Sequence, residues 1–172
     1  MKKLVPLAAT AVFALCTLSP AQAMDFSVEA GMSSESTMVY RLGLQREFNK
    51  SWWQSDTGRL TGYWDAAYTY WNGKDRSTVH SLSLSPMFVY EFNGGSVKPY
   101  IEAGIGIAGF SKSRYEGRDF GTAFNFEDRI GAGLRFAGGQ QIGIRASHYS
   151  NAGIKQPNDG IESITLHYRT SF

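Results

Sequence analysis

Two-residue alternation of apolar and polar side chains recurs along nearly the whole chain, and it narrows the fold more than any other feature. Phe26, Val28 and Ala30 alternate with Asp25, Ser27 and Glu29. Tyr40, Leu42 and Leu44 alternate with Arg41, Gly43 and Gln45. Trp64, Ala66, Tyr68 and Tyr70 share a face, opposite Tyr63, Asp65 and Thr69. Leu82, Leu84, Phe88 and Tyr90 oppose Ser81, Ser83, Ser85 and Glu91. The same division separates Ile101 to Ile107 from Glu102, and Phe124, Phe126, Ile130 and Leu134 from Glu127, Arg129 and Arg135. It ends with Ile142, Ile144 and Ala146 against Arg145, and Ile164, Leu166 and Tyr168 against Thr165, His167 and Arg169. Successive side chains of a strand point to opposite faces, so this period marks strands with two unlike surfaces. No stretch holds an apolar i, i+3, i+4 pattern for long. The reading is all-β, with eight strands, and turn signals stand between them at Asn72-Gly73-Lys74-Asp75, Asn93-Gly94-Gly95-Ser96 and Ala137-Gly138-Gly139-Gln140.

The first 23 residues lie outside this pattern. Lys2 and Lys3 precede an apolar run from Leu4 to Leu18, and Ala21-Gln22-Ala23 supplies a small-x-small cleavage site. Together they read as a secretory signal peptide over 1–23. Its removal leaves 149 of the 172 residues as one domain, 24–172. The leader takes two lysines and no acid, so 15 basic residues then face 15 acidic ones. That balance speaks against a nucleic-acid partner. Cys16, the only cysteine, leaves with the leader, which removes disulfide, thiol-nucleophile and Cys-metal chemistry from the mature chain. His80 and His167 belong to no metal-spaced cluster, and no nucleotide or phosphate loop appears, so neither metal nor cofactor is expected.

Two architectures suit eight amphipathic strands: a soluble barrel or sandwich, and a membrane barrel. The charged residues decide between them. Arg41, Asp65, Glu91, Glu102, Glu127, Arg129, Arg135 and Arg145 all lie on the face away from the apolar stripe. A membrane barrel turns the apolar face out to lipid and pairs acids with bases inside. The strands approach the nine to eleven residues, roughly, that a tilted membrane strand requires. Aromatics gather near strand ends (Trp52, Trp53, Tyr63, Trp64, Tyr70, Trp71), as in an interfacial girdle. Phe172 ends the chain behind evenly spaced Ile164, Leu166 and Tyr168, similar to the terminus of outer-membrane barrels. The expectation is an eight-stranded antiparallel transmembrane β-barrel of the bacterial outer membrane. Both termini and the tight turns at 93–96 and 137–140 then face the periplasm, and the connection from Asn151 to Gly160 lies outside the cell at the outer leaflet.

Chemistry-bearing residues meet at that outer end. His148 and Ser150, two apart, share a strand face, and parity with Ile142, Ile144 and Ala146 makes it the apolar face. Glu162 shares parity with Ile164 and Leu166, so it also points outward. Were Ser150 to pair across from Glu162, then His148 would face Ile164, with Glu162 on its diagonal. Asp128 has the apolar parity of its own strand and would come beside His148 or Ser150. Ionisable groups facing lipid are costly, and those retained there usually have a function. A hydroxyl, an imidazole and a carboxylate together suit nucleophilic catalysis, in which imidazole takes the hydroxyl proton and carboxylate orients the imidazole. No G-x-S-x-G elbow is present, which excludes an α/β-hydrolase. For the oxyanion, the backbone N–H groups over Asn151, Ala152 and Gly153 and the Asn151 amide are the nearest donors.

The run from Phe124 to Gly133, the run from His148 to Glu162, Trp52-Trp53 and the segment Gly58 to Asp65 resemble the PagL family of outer-membrane lipid A deacylases. The likeness covers nearly all of the mature chain. It implies a Ser-His-Glu triad on the outside of an eight-stranded barrel that removes the acyl chain ester-linked at the 3-position of lipid A. Residue by residue, it implies Ser150 as nucleophile, His148 as general base and Glu162 as orienting acid, with Asp128 supporting. The implied partners are lipid A within lipopolysaccharide and membrane lipid, with a homodimer left open. The alternatives are a non-catalytic barrel (an adhesin or structural protein) and another lipid acyl hydrolase or transferase. Outer-membrane phospholipase A also carries a His-x-Ser-Asn run, but on a longer chain with more strands.

Overall fold

The computed structural model describes residues 24–74 and 78–171, so the expected leader, Asp75 and Phe172 lie outside the described residues. The strands are β1 (Asp25–Ser33), β2 (Met38–Glu47), β3 (Gly58–Asn72), β4 (Val79–Phe92) and β5 (Val97–Phe110), then β6 (Arg114–Tyr115), β7 (Arg118–Asp119), β8 (Phe124–Phe136), β9 (Gln141–Ser150) and β10 (Ile161–Ser171). Eight of them close a barrel in the order β1-β10-β9-β8-β5-β4-β3-β2, and β6 and β7 form a separate hairpin. Every barrel pairing is antiparallel, including β1 with β10, so the sheet has no free edge.

Parity sorts the side chains as the alternation requires. Leu82, Ile105, Ile130, Ile144, Ile164 and Leu166 stand exposed on the outer wall, whereas Glu29, Arg41, Asp65, Glu102, Glu127, Arg129 and Arg145 are buried inside. Arg41 reaches Asp65 and Glu127 at 2.7 Å each, Arg129 reaches Asp65 at 2.8 Å, and Arg145 reaches Glu29 and Glu102 at 2.5 Å each. Apolar surface of this extent facing water would be costly, so the wall is of the lipid-facing type. The interior ions pair because an unpaired buried charge costs several kcal/mol, of order. Buried apolar clusters bracket the ion layer. One, at the end opposite the termini, contains Val39, Trp71, Phe110, Tyr115, Phe120, Tyr149 and Ile161. The other contains Tyr63, Met87, Val89 and Tyr100.

Two members of the expected aromatic girdle belong elsewhere. Tyr63 and Trp71 occupy odd positions of β3 and are 1% and 0% exposed, inside the barrel. The Tyr63 hydroxyl donates to Glu102 at 2.7 Å and the Trp71 indole N–H donates to Ser81 at 3.0 Å. Parity outranks position along the strand, since one step turns a side chain to the other face. Trp52, Trp53 and Trp64 do lie exposed on the outside.

Candidate active site

Strand β9 runs between β8 and β10, and its last residues hold the candidate chemistry. Each outward group there is flanked by inward groups that the barrel interior locks. His148 lies between Ser147 and Tyr149, and Ser150 between Tyr149 and Asn151, all three neighbours buried. The Tyr149 hydroxyl donates to Glu127 at 2.6 Å, and its ring packs edge-on against Trp71 and Phe110. Interior packing thus fixes the backbone from which the outward side chains project.

In the observed register His148 faces Glu162 on β10 and Asp128 on β8. The alternative pairing of Ser150 with Glu162 is not adopted. The ladder is displaced by two residues, which leaves every side chain on its expected face. His148 Nδ1 lies 2.9 Å from Glu162 Oε1, and the two side chains are 42% and 50% exposed. An ionised carboxylate only accepts, so this bond assigns the proton to Nδ1 and leaves the Nε2 lone pair available. Ser150 faces Phe126 on β8, while the β9–β10 ladder ends at Tyr149 and Ile161. No hydrogen bond joins the Ser150 hydroxyl to His148 among the described residues; the two groups share a wall two residues apart. Unliganded sites often hold such pairs loosely. Asp128 is exposed directly across from His148, but the imidazole makes its bond to Glu162.

Gly160 completes this corner and was not singled out from the sequence. Its φ is +63°, and a Cβ there would lie 3.0 Å from His148 Cε1. The imidazole therefore packs over a residue that must lack a side chain. Its sequence signal is weak: a glycine just before a strand reads simply as a turn.

The Asn151 amide does not serve as an oxyanion donor in this arrangement. Asn151 has the inward parity and is fully buried, and its Nδ2 donates to the carbonyls of Phe120 at 2.6 Å and Lys155 at 2.7 Å. Its backbone N–H donates to Asn158 Oδ1 at 2.8 Å. The N–H groups of Ala152 and Gly153 follow, on an exposed stretch with positive φ of 53° and 79°, and have no hydrogen-bond partner among the described residues. His80 lies on the outer wall, bonded through Nδ1 to the Tyr68 hydroxyl at 2.6 Å, and His167 is buried inside the barrel. Among the described residues no group of three or more His, Cys, Asp or Glu side chains is placed to hold a metal ion.

A closed eight-stranded barrel with an apolar outer wall and a charged interior defines the class: a small membrane β-barrel, here with a histidine–carboxylate pair and a serine on its outer wall. Residues 38–171 match the family model described as lipid A 3-O-deacylase (PagL). The chain is 59% identical over 170 residues to lipid A deacylase PagL of Pseudomonas aeruginosa, covering 98% of each chain. It is 37% identical over 132 residues to lipid A deacylase PagL of Bordetella bronchiseptica, covering 77% of this chain and 64% of that one. A crystal structure of the outer membrane enzyme PagL superposes with a TM-score of 0.84 at 60% identity, over 86% of this chain and 99% of that one. A de novo designed transmembrane β-barrel, at 12% identity and a TM-score of 0.51, shares the fold alone. The chain belongs to the PagL family of lipid A 3-O-deacylases. It is an outer-membrane β-barrel enzyme and an ester hydrolase.

Proposed function

We propose that this chain hydrolyses the acyl chain ester-linked at the 3-position of lipid A in lipopolysaccharide. Ser150 is the nucleophile, His148 the general base and Glu162 the orienting acid, on the lipid-facing wall at the outer leaflet. The observation that carries this reading is the 2.9 Å pair of His148 Nδ1 and Glu162 Oε1 on the same outer face as Ser150. The carboxylate holds the imidazole in the tautomer whose Nε2 can accept a proton, and it stabilises the imidazolium once formed.

Ser150 Oγ attacks the ester carbonyl carbon as its proton passes to His148 Nε2. The carbonyl oxygen becomes an oxyanion, to which the N–H groups of Ala152 and Gly153 donate. Collapse breaks the bond to the sugar oxygen, which takes the proton from Nε2 and leaves as the 3-hydroxyl. Water, deprotonated by the same nitrogen, then cleaves the acyl-serine, releasing fatty acid and restoring Ser150. Acyl chains lie along the apolar wall, so the ester needs no internal pocket.

The test is Ser150→Ala, with release of 3-hydroxy fatty acid from purified lipopolysaccharide in detergent measured beside a heat-modifiability gel. A folded barrel with turnover lowered by at least about 10³-fold is expected. Near-wild-type hydrolysis by a folded variant would remove Ser150 as the nucleophile.

A further inference from the structure

The β6–β7 hairpin lies in the connection between β5 and β8, and the reaction just described gives it no part. Its inner side is anchored in the barrel. Tyr115 and Phe120 are buried among Trp71, Phe110 and Tyr149, and the Tyr115 hydroxyl lies 2.5 Å from Thr37 Oγ1. Its outer side is bonded along the loop 151–160. The Asp119 N–H donates to Asp159 Oδ2 at 2.7 Å, and the Asp159 N–H returns to the Asp119 carbonyl at 3.1 Å. Asn151 reaches the Phe120 carbonyl at 2.6 Å.

Gly121 is the tightest point of this seam. With φ at +68°, a Cβ there would lie 2.2 Å from the Pro157 carbonyl oxygen, 2.8 Å from that of Lys155 and 3.1 Å from Asn151 Nδ2. Two of these three atoms are backbone, so a side chain at 121 must push the loop away. Within itself the loop is tied by the Ile154 N–H to the Asn151 carbonyl at 3.1 Å and by Asn151 Nδ2 to the Lys155 carbonyl at 2.7 Å, but Ala152 to Pro157 are all exposed, and the bonds that tie it to the connection between β5 and β8 are those of the seam. Yet it is this loop that presents the N–H groups of Ala152 and Gly153.

We infer that the β6–β7 hairpin is a positioning element for ester cleavage: through Gly121 and the Asp119–Asp159 exchange it sets the loop that presents the Ala152 and Gly153 N–H groups. The inference rests on the reading of those groups as oxyanion donors. Such donors act only when they are already aimed at the place where charge develops, and a displaced loop loses that aim while leaving the substrate's acyl contacts intact.

The experiment uses the full chain in detergent with lipopolysaccharide. Gly121→Val should lower kcat by about 100-fold, the scale of one lost oxyanion donor. KM should stay within about twofold, and the pH profile of kcat/KM should not move, because His148 and Glu162 are untouched. Asp159→Ala should lower kcat by roughly tenfold, while Asp159→Asn, which keeps an acceptor oxygen for the Asp119 N–H, should recover most of it. Folded Gly121→Val with kcat within about threefold of wild type would overturn the inference, as would a loss carried by KM or a displaced pH profile. If Gly121→Val does not fold, the Asp159→Ala and Asp159→Asn pair decides, and equal activities in that pair overturn the inference. Ser150→Ala in the same assay separates the two readings. Its retention of turnover defeats the nucleophile assignment, whereas an inactive Ser150→Ala beside an active Gly121→Val defeats the hairpin's role alone.

Discussion

Inside the barrel, Arg41 holds Asp65 and Glu127 at 2.7 Å each with all three side chains at most 4% exposed; on the outer wall, His148 holds Glu162 at 2.9 Å with the pair 42% and 50% exposed. Both are basic–acidic pairs bridging strands of one sheet. The inner Glu127 is fully engaged: it accepts from Arg41, Ser85 and Tyr149. Nothing there has a spare lone pair directed at open space. The outer pair is satisfied on one side only, with Nε2 turned away from the carboxylate. One step along a strand thus separates scaffold from the proposed chemistry, and the two are linked: Glu127 anchors Tyr149, the residue between His148 and Ser150.

The sharpest way to break this comparison is to remove each acid that flanks the imidazole. Glu162→Ala should lower kcat by roughly 10³-fold, because the imidazole loses its tautomer control and its counter-charge. Asp128→Ala should cost less than about tenfold, through substrate positioning. Both are read as fatty-acid release from lipopolysaccharide, with folding checked on the same samples. Should Asp128→Ala abolish turnover while Glu162→Ala spares it, the acid belongs to β8.

The inner pair should answer in stability instead. Arg41→Leu leaves Glu127 and Asp65 short of a buried counter-charge, and the barrel should lose about 3–5 kcal/mol. Urea unfolding in detergent measures this, and the surviving folded fraction should turn over within a few-fold of wild type. An unchanged unfolding midpoint, or lost turnover without lost stability, would erase the division between the two faces.

The smallest effect is expected from pH at the hairpin. The Gly121 N–H, bonded to the Asp119 carboxylate at 2.8 Å, and the Arg114 guanidinium at 2.6 Å hold that carboxyl below its ordinary range. Because the folded-state value is depressed, this contribution is fully present above the unfolded value and is lost as pH falls through the folded one. Amide exchange at Gly121 should therefore stay protected on acidification past the ordinary aspartate range, and Asp119→Asn should abolish that pH dependence. Equal protection at all pH values in both chains would show that the carboxylate does not hold the turn.

Much of this was legible in the sequence because a period of two assigns each side chain to a face without any knowledge of the partner strand. His148, Ser150 and Glu162 were placed on one wall by parity alone. The register was not, since loop length decides which residues stand opposite, and a slip of two leaves the pattern unchanged. Tyr63, Trp71 and Asn151 lie inside the barrel because parity outranks proximity to a strand end or to Ser150. The β6–β7 hairpin has two-residue strands, too short for any alternation. Its signal is the Tyr115-Glu116-Gly117-Arg118 turn, with φ of 50° at Glu116 and 85° at Gly117, the form that two-residue hairpin loops prefer.

If His148, Ser150 and Glu162 carry the reaction as proposed, their outward parity also sets its dimensionality. On the proposed placement, substrate arrives by lateral diffusion within a leaflet and never crosses an aqueous phase. The quantity that saturates the enzyme is then the mole fraction of lipid A around the barrel, not a bulk concentration. Added detergent acts as a two-dimensional diluent, and turnover follows the crowding of the surface in which the barrel sits.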